Sequence, residues 1–428
     1  MSPYLVAMII VVPVMLIITM RQSKVINLRS LILPATCMVF ILLLIMFSDT
    51  AVKSASNGIQ LWLGVVFPSL FPFFVVSEIL NKTRFINALG VLLEPVMRPL
   101  FNVPGCASFA LAMGITSGYP VGAKITAGMR EENLLTKTES ERLLSFTNNS
   151  GPLFIVGAVA VGMFKMPELG LLLLTCHILA SITVGIIFRF YGRSNESTYP
   201  ISNDKIWARF KKELIKNSKQ NINLGIILGD AVKNSISVML TIGGFIILFS
   251  VIINVLIDIG FISFLSGLIF VVLSRTDIPK EMISALISGF FEITTGANMT
   301  CNAGNIALVD KLAAVSLILG WAGISVHSQV YSIISKTDIS IKPYLFGKML
   351  QGILAAIYIS IAARLPHTAP LIAKSVFNER IMQSEFPWIN SFLYSVQNIL
   401  LSLILLIVFI VTSLIFSFVK GFVCSRKF

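Results

Sequence analysis

The sequence predicts an all-α polytopic membrane fold: about nine transmembrane helices and two re-entrant helical hairpins, arranged as an inverted repeat, each span being a run of about 20 apolar residues. Three observations carry that expectation. Of 428 residues, 56% are hydrophobic and only 12% charged, against about 25% charged in an ordinary soluble domain. Apolar stretches of spanning length recur along most of the chain, and two further apolar stretches are interrupted by Gly, Pro, Thr and Asn, one in each half. Together these exclude a soluble enzyme, a nucleic-acid binder and a disordered scaffold.

In chain order, the uninterrupted stretches cover about 2 to 20, 31 to 47, 60 to 80, 146 to 164, 169 to 190, 236 to 257, 308 to 334, 343 to 363 and 391 to 419. The first has no basic segment before it, so it reads as a retained helix rather than a cleaved signal. The interrupted stretches, 105 to 129 and 281 to 304, read as hairpins that enter and leave on one side, because irregular backbone at membrane depth must be covered by protein or line a wet cavity.

Charge orients the spans. Lys and Arg number 33 against 20 Asp and Glu, a net +13, and loops rich in Lys and Arg stay in the cytoplasm. Arg21, Lys24 and Arg29 follow the first span, and Arg189, Arg193, Lys205, Arg209, Lys211, Lys212, Lys216 and Lys219 fall around the loop near 191 to 232. Both belong inside, with the N-terminus outside. The segment KIWARFKKELIKNSKQ mixes apolar and basic residues and reads either as an amphipathic helix on anionic headgroups or as a plain linker.

An internal repeat organises the chain. FINALGVLLEPVMRPLFNVP (85 to 104) aligns with FISFLSGLIFVVLSRTDIP (261 to 279), and GITSGYPVGAKIT (114 to 126) aligns with GFFEITTGANMT (289 to 300), sharing G-A-x-x-T. A polar break follows in each half, FTNNSGPLF (146 to 154) and WAGISVHSQV (321 to 330). Each copy holds an odd number of spans, so the second is expected upside down, a plan common among secondary transporters. The expected division is 1–50, two N-terminal transmembrane helices; 58–190, the first repeat; 191–232, a basic cytoplasmic linker; 233–363, the inverted second repeat; and 364–428, an extracytoplasmic loop and a C-terminal transmembrane helix.

Candidate binding residues cluster at the interruptions. In the first hairpin these are Ser117, Gly118, Tyr119, Gly122, Lys124 and Thr126, where backbone N–H groups and one cation suit an anion. An ammonium at membrane depth is costly and is normally kept for a partner; the plainer reading of Lys124 is snorkelling to the interface. The first break adds Asn148, Asn149 and Ser150, which serve either a carboxylate or polar ring, or simple interhelical bonding. The second half offers Thr294, Thr295 and Asn298 in its hairpin and Ser325 and Gln329 in its break. Glu292 and His327 are the protonatable candidates for coupling, with a structural Glu292–Lys124 pair and a buried, bonded His327 as the alternatives.

No catalytic role is expected, since G-x-S-x-G, H-E-x-x-H and G-x-x-x-x-G-K-[ST] are all missing from the sequence. The five cysteines, Cys37, Cys106, Cys176, Cys301 and Cys424, are scattered with no C-x-x-C, so no metal or other cofactor is expected either.

LWLGVVFPSLFPFFVVSEIL, EPVMRPLFNVPG and GITSGYPVGAKITAGMREENLLTKTESERLLSFTNNSGPLFIVGAVAVGMF resemble the YlbJ family of sporulation integral membrane proteins. The resemblance is dense from about 60 to 165 and looser from about 229 to 363. It implies two Gate, or nucleoside-recognition, domains and a likeness to the repeated core of concentrative nucleoside transporters. It also implies a role in importing dipicolinic acid from mother cell to forespore, in the mother-cell-derived outer forespore membrane. The resulting expectation is a secondary carrier for a small anion, with the bilayer and other sporulation membrane proteins as partners and no nucleic acid. The alternatives are a docking protein of the forespore envelope and a nucleoside carrier.

Overall fold

The computed structural model describes residues 28–82, 85–192, 207–211, 215, 224–272, 278–304 and 306–365. The expected spans at 2 to 20 and 391 to 419 lie outside these, as does most of the basic linker. The described residues are helical, with no strand among them.

Helix α1 (Leu28–Met46) is followed, across a 98° bend, by α2 (Ser48–Leu61), a short π-helix π1 (Trp62–Val66) and α3 (Phe67–Lys82). The chain turns into α2 at Ser48. The sequence changes character there, from LLLIM to SDTAVKSASNGIQL, and a helix with that many polar residues seeks protein contact rather than lipid. Its partner is the long helix α9 (Leu224–Asp258), to which it is tied by Ser250 Oγ donating to the Ser54 carbonyl at 3.0 Å and by a Thr50–Asp258 bond.

The remaining elements occur in one order twice. The first series is α4 (Phe85–Phe101), the helix pair α5 (Ala107–Ser117) and α6 (Val121–Glu131), then α7 (Lys137–Thr147), a break, π2 (Leu153–Met163) and α8 (Leu169–Phe188). The second, after α9, is α10 (Phe261–Val272), the pair α11 (Lys280–Phe291) and α12 (Ile293–Asn302), then α13 (Leu308–Trp321), α14 (Gly323–Ile334) and α15 (Ile341–Ala362). Thr136 begins α7 with a capping box: its Oγ1 accepts from Glu139 N–H while Glu139 Oε2 accepts from Thr136 N–H, satisfying donors that a helix start leaves open.

Among the described residues, four helices are long and apolar enough to cross a bilayer: Leu169–Phe188, Leu224–Asp258, Leu308–Ile334 and Ile341–Ala362. The bent α1–α2 pair makes a fifth if counted as one span. The expected stretch at 60 to 80 is divided among the end of α2, π1 and α3, and that at 146 to 164 between the end of α7 and π2.

Helix α15 is the hub. It packs on α13, α7 and α8, and Gly320 of α13 meets Gly352 of α15 so closely that a Cβ on either would run into the other helix's backbone. Apolar clusters fill the flanks. One joins α4, α5, α7 and α8, where Phe101 stacks on Phe146 at 4.7 Å between ring centroids. Another joins π2, α8, α13 and α15 around Ile155, Leu173, Val315 and Ile359. Between these clusters, where α7 breaks, the interior turns polar.

Candidate functional site

The break in the first series begins with proline. Pro152 has no N–H, so the carbonyl four residues earlier, that of Asn148, loses its helical donor. Residues 148–151 leave the helix. The freed Asn148 carbonyl accepts a bond from Lys348 Nζ of α15 at 3.0 Å.

Lys348 is completely buried, as is Gln351 one turn along. Lys348 Nζ also donates to Gln351 Oε1 at 2.7 Å, and Gln351 Nε2 donates to Asn149 Oδ1 at 2.8 Å. Lys348 makes no ion pair among the described residues. An ammonium desolvated without a carboxylate carries a penalty of several kcal/mol in effective terms, which two neutral acceptors offset only in part.

A polar network spreads from this pair. Ser150 N–H donates to His177 Nε2 of α8 at 3.2 Å, which places the His177 proton on Nδ1, and Gln351 Nε2 lies 3.3 Å from the same ring nitrogen. Asn149 Nδ2 donates to Ser181 Oγ at 3.0 Å and to the Phe146 carbonyl at 2.8 Å. Asn148 Nδ2 donates to Tyr344 Oη at 3.1 Å, and the Tyr344 hydroxyl lies 3.3 Å from His327 Nδ1. Tyr119, in the α5–α6 turn, bonds Ser150. First-series and second-series residues thus share one buried network.

Several atoms at its edge are buried without a hydrogen-bond partner among the described residues: Asn148 Oδ1, His177 Nδ1, His327 Nε2 and Ser117 Oγ. Buried polar atoms are ordinarily paired. With Tyr344 donating to His327 Nδ1, the open Nε2 is a donor, so both imidazoles present an unused N–H.

The turn between α5 and α6 is pressed onto the break. Gly118 has φ +86°, a conformation glycine adopts without strain, and a Cβ there would lie 2.7 Å from Gly151 N. Gly114 and Gly122 both abut the Thr147 carbonyl, leaving no room for a side chain.

The expected residues divide into those the fold gathers and those it places elsewhere. Tyr119, Asn148, Asn149, Ser150 and His327 enter the network, and Ser117 and Gly118 border it. Ser325 and Gln329 are buried on α14. Lys124 instead forms an ion pair with Glu78 of α3 at 3.6 Å, beside the Phe74 ring; Glu292 is therefore not its partner. Glu292 caps α12, accepting from Thr294 N–H at 2.9 Å and Thr295 N–H at 2.7 Å. Thr126 bonds the Gly122 carbonyl and Thr300 the Gly296 carbonyl, each at 2.8 Å, so the repeated G-A-x-x-T makes the same intrahelical contact in both series. Asn298 is exposed and bonded to Asn302. No metal-holding cluster of His, Cys, Asp and Glu occurs among the described residues.

Sequence reasoning missed Lys348, Gln351, Tyr344, His177 and Ser181. Tyr344, Lys348 and Gln351 follow the spacing that puts residues on one helix face, inside the apolar YLFGKMLQGILAAIYISIA. The reasoning applied to Lys124, a lone cation in an apolar stretch, selects Lys348 as well.

The fold and site define a polytopic α-helical membrane protein with a buried polar centre, built around Lys348, between two series of helices. Residues 63–166 match the Gate family, described as nucleoside recognition. The chain is 42% identical over 325 residues to the sporulation integral membrane protein YlbJ of Bacillus subtilis (strain 168), covering 74% of this chain and 78% of that protein. It belongs to the YlbJ family. Among solved structures, it resembles CNTnw in an inward-facing substrate-bound state, with 13% identity, TM-score 0.40, and coverage of 85% of this chain and 92% of that one. An outward-facing CNTnw variant matches with 12% identity and TM-score 0.35 over 77% of this chain and 85% of that one.

Proposed function

We propose that this protein is a secondary carrier for a small anionic metabolite, dipicolinic acid before others, moved from mother cell toward forespore across the outer forespore membrane. The observation that supports this most is Lys348: a fully buried lysine with no ion pair among the described residues, at the junction of two matching series of helices. A buried ammonium that lacks a protein carboxylate is suited to a ligand that brings one. Dipicolinate is a flat dianion at neutral pH, and the unused N–H groups of His177 and His327 supply further donors. Ser117, Gly118, Tyr119 and the Asn148–Ser150 segment complete the first-series side.

In this reading the two series are inverted copies, the α5–α6 and α11–α12 pairs are re-entrant, and rocking of one series against the other alternates access. Lys124, neutralised by Glu78, steadies the first hairpin rather than holding the anion. A nucleoside carrier is the second reading, favoured by the description of the Gate family. Uptake of radiolabelled dipicolinate and of uridine into proteoliposomes holding only this chain separates the two. Saturable dipicolinate uptake that excess uridine leaves unchanged supports the anion carrier. Uptake of uridine alone supports the nucleoside carrier, and uptake of neither overturns both.

A further inference from the structure

Lys348 is boxed in by neutral groups. From α7 and the break come the Asn148 carbonyl and, through Gln351, Asn149. From α8 comes His177, against Gln351; from α14 comes His327, joined through Tyr344 of α15 itself; from the α5–α6 turn comes Tyr119, joined through Ser150. Charged residues on the packed elements are occupied elsewhere. Glu141 accepts from Tyr191 and from Ser340 N–H, Arg142 donates to the carbonyls of Tyr191, Asn102 and Gly192, Glu139 caps α7, and Lys137 lies in its first turn. On α13, Asp310 is exposed and Lys311 donates to the Cys301 carbonyl. On α15, Lys342 lies in the first turn, six residues before Lys348.

A buried ammonium so placed is relieved in one of two ways: an anion arrives, or a proton leaves. We infer that Lys348 is the coupling site of the carrier, taking up one proton from the aqueous phase as the anion binds and releasing it on the other side after the anion departs. The inference rests on the anion-carrier reading and deepens it. Loaded, the ammonium faces the carboxylate; empty, the neutral amine still donates its two N–H bonds to the Asn148 carbonyl and to Gln351 Oε1. The coupling role then belongs to Lys348 and not to Glu292, whose carboxylate is committed to two N–H groups of α12.

The test uses proteoliposomes of the full chain with the membrane potential clamped at zero. Exchange of labelled for unlabelled dipicolinate at equal pH requires only a carrier; its absence in the wild type sinks the reading beneath this inference. With exchange present, an interior one pH unit more alkaline than the medium is expected to concentrate dipicolinate about tenfold, one pH unit being a tenfold proton ratio. Lys348→Arg, which cannot lose its charge, is expected to abolish this accumulation, whatever rate of exchange it retains. Wild-type exchange without accumulation, or accumulation by Lys348→Arg, overturns the inference. Should the arginine variant not fold, proton uptake on dipicolinate binding is measured in weakly buffered detergent solution with wild type and His327→Gln. Uptake by both supports the inference, while no uptake by wild type, or its loss only in His327→Gln, contradicts it.

Discussion

The two helix interruptions occupy the same place in the two series yet are built from different chemistry. The first spans residues 148–151 and ends on Pro152, and its Asn148 carbonyl and Asn149 side chain are met by Lys348 and Gln351 of the other series. The second is a single residue, Ala322, in the left-handed conformation at φ +76°, and α14 resumes at once. The hairpins differ in the same sense. The α5–α6 turn, through Gly118 and Tyr119, rests on the first break, whereas the α11–α12 turn is closed locally by Glu292. The same order of elements thus supports a site that is chemically one-sided: the first series gives the unwound backbone, and the second gives the lysine that meets it.

The largest effect expected from breaking this asymmetry is at Lys348. Lys348→Met should reduce dipicolinate uptake at least tenfold, truncation of one partner of a buried charge contact costing about 2–5 kcal/mol, while Lys124→Met, which removes a cation already paired with Glu78, should cost far less; initial rates normalised to protein in the membrane decide it. Next comes Gly122→Leu, which forces a side chain into the Thr147 carbonyl. Overpacking of this kind costs about 1–3 kcal/mol or more, and thermal unfolding in detergent should show a lower midpoint than that of Gly128→Leu, where the added Cβ meets nothing.

A smaller effect is expected from Tyr119→Phe, which deletes one buried hydroxyl contact to Ser150 and should cost about 1 kcal/mol. A rise in uptake or stability would show that this turn is not held by the break. The smallest lies on the surface, where Arg130 of α6 grips Asp338 with bonds of 2.8 and 2.9 Å. The guanidinium holds the Asp338 carboxyl below its ordinary value. With the folded-state value depressed, the pair's stabilisation is complete above the unfolded Asp value of about 3.9 and is lost as pH falls through the folded one. Because Asp338 is half exposed, Asp338→Asn should lower stability by only about 0.2–1 kcal/mol, and the difference from wild type should vanish in acid.

The inversion has its own test. Cysteines placed at Glu131, the last residue of α6, and at Gly304, just after α12, occupy exposed positions at corresponding ends of the two pairs and should be labelled by an impermeant maleimide from opposite sides. Labelling from one side only would refute the inverted arrangement.

Much of this was legible in the sequence, for identifiable reasons. Helices α8, α9, α13 and α15 are apolar enough to announce themselves, and Pro152 marks the first break because a missing N–H cannot be compensated within a helix. The G-A-x-x-T repeat was visible, but its meaning was not: Thr126 and Thr300 face their own helix carbonyls, which spacing alone does not distinguish from facing a ligand. Lys124 drew attention for its charge, yet its partner Glu78 lies in a different helix, and such long-range pairing leaves no local signature. Tyr344, Lys348, Gln351 and His177 were passed over because each looks isolated in its own apolar helix; only the crossing of α15 with α7 and α8 brings them together.

The central claim is that Lys348 supplies the charge for an anion. Its most direct test is equilibrium binding of labelled dipicolinate to purified wild type, Lys348→Gln and Lys124→Gln. Binding that is lost in Lys348→Gln and kept in Lys124→Gln is the result predicted here; binding that survives in Lys348→Gln and disappears in Lys124→Gln would contradict it.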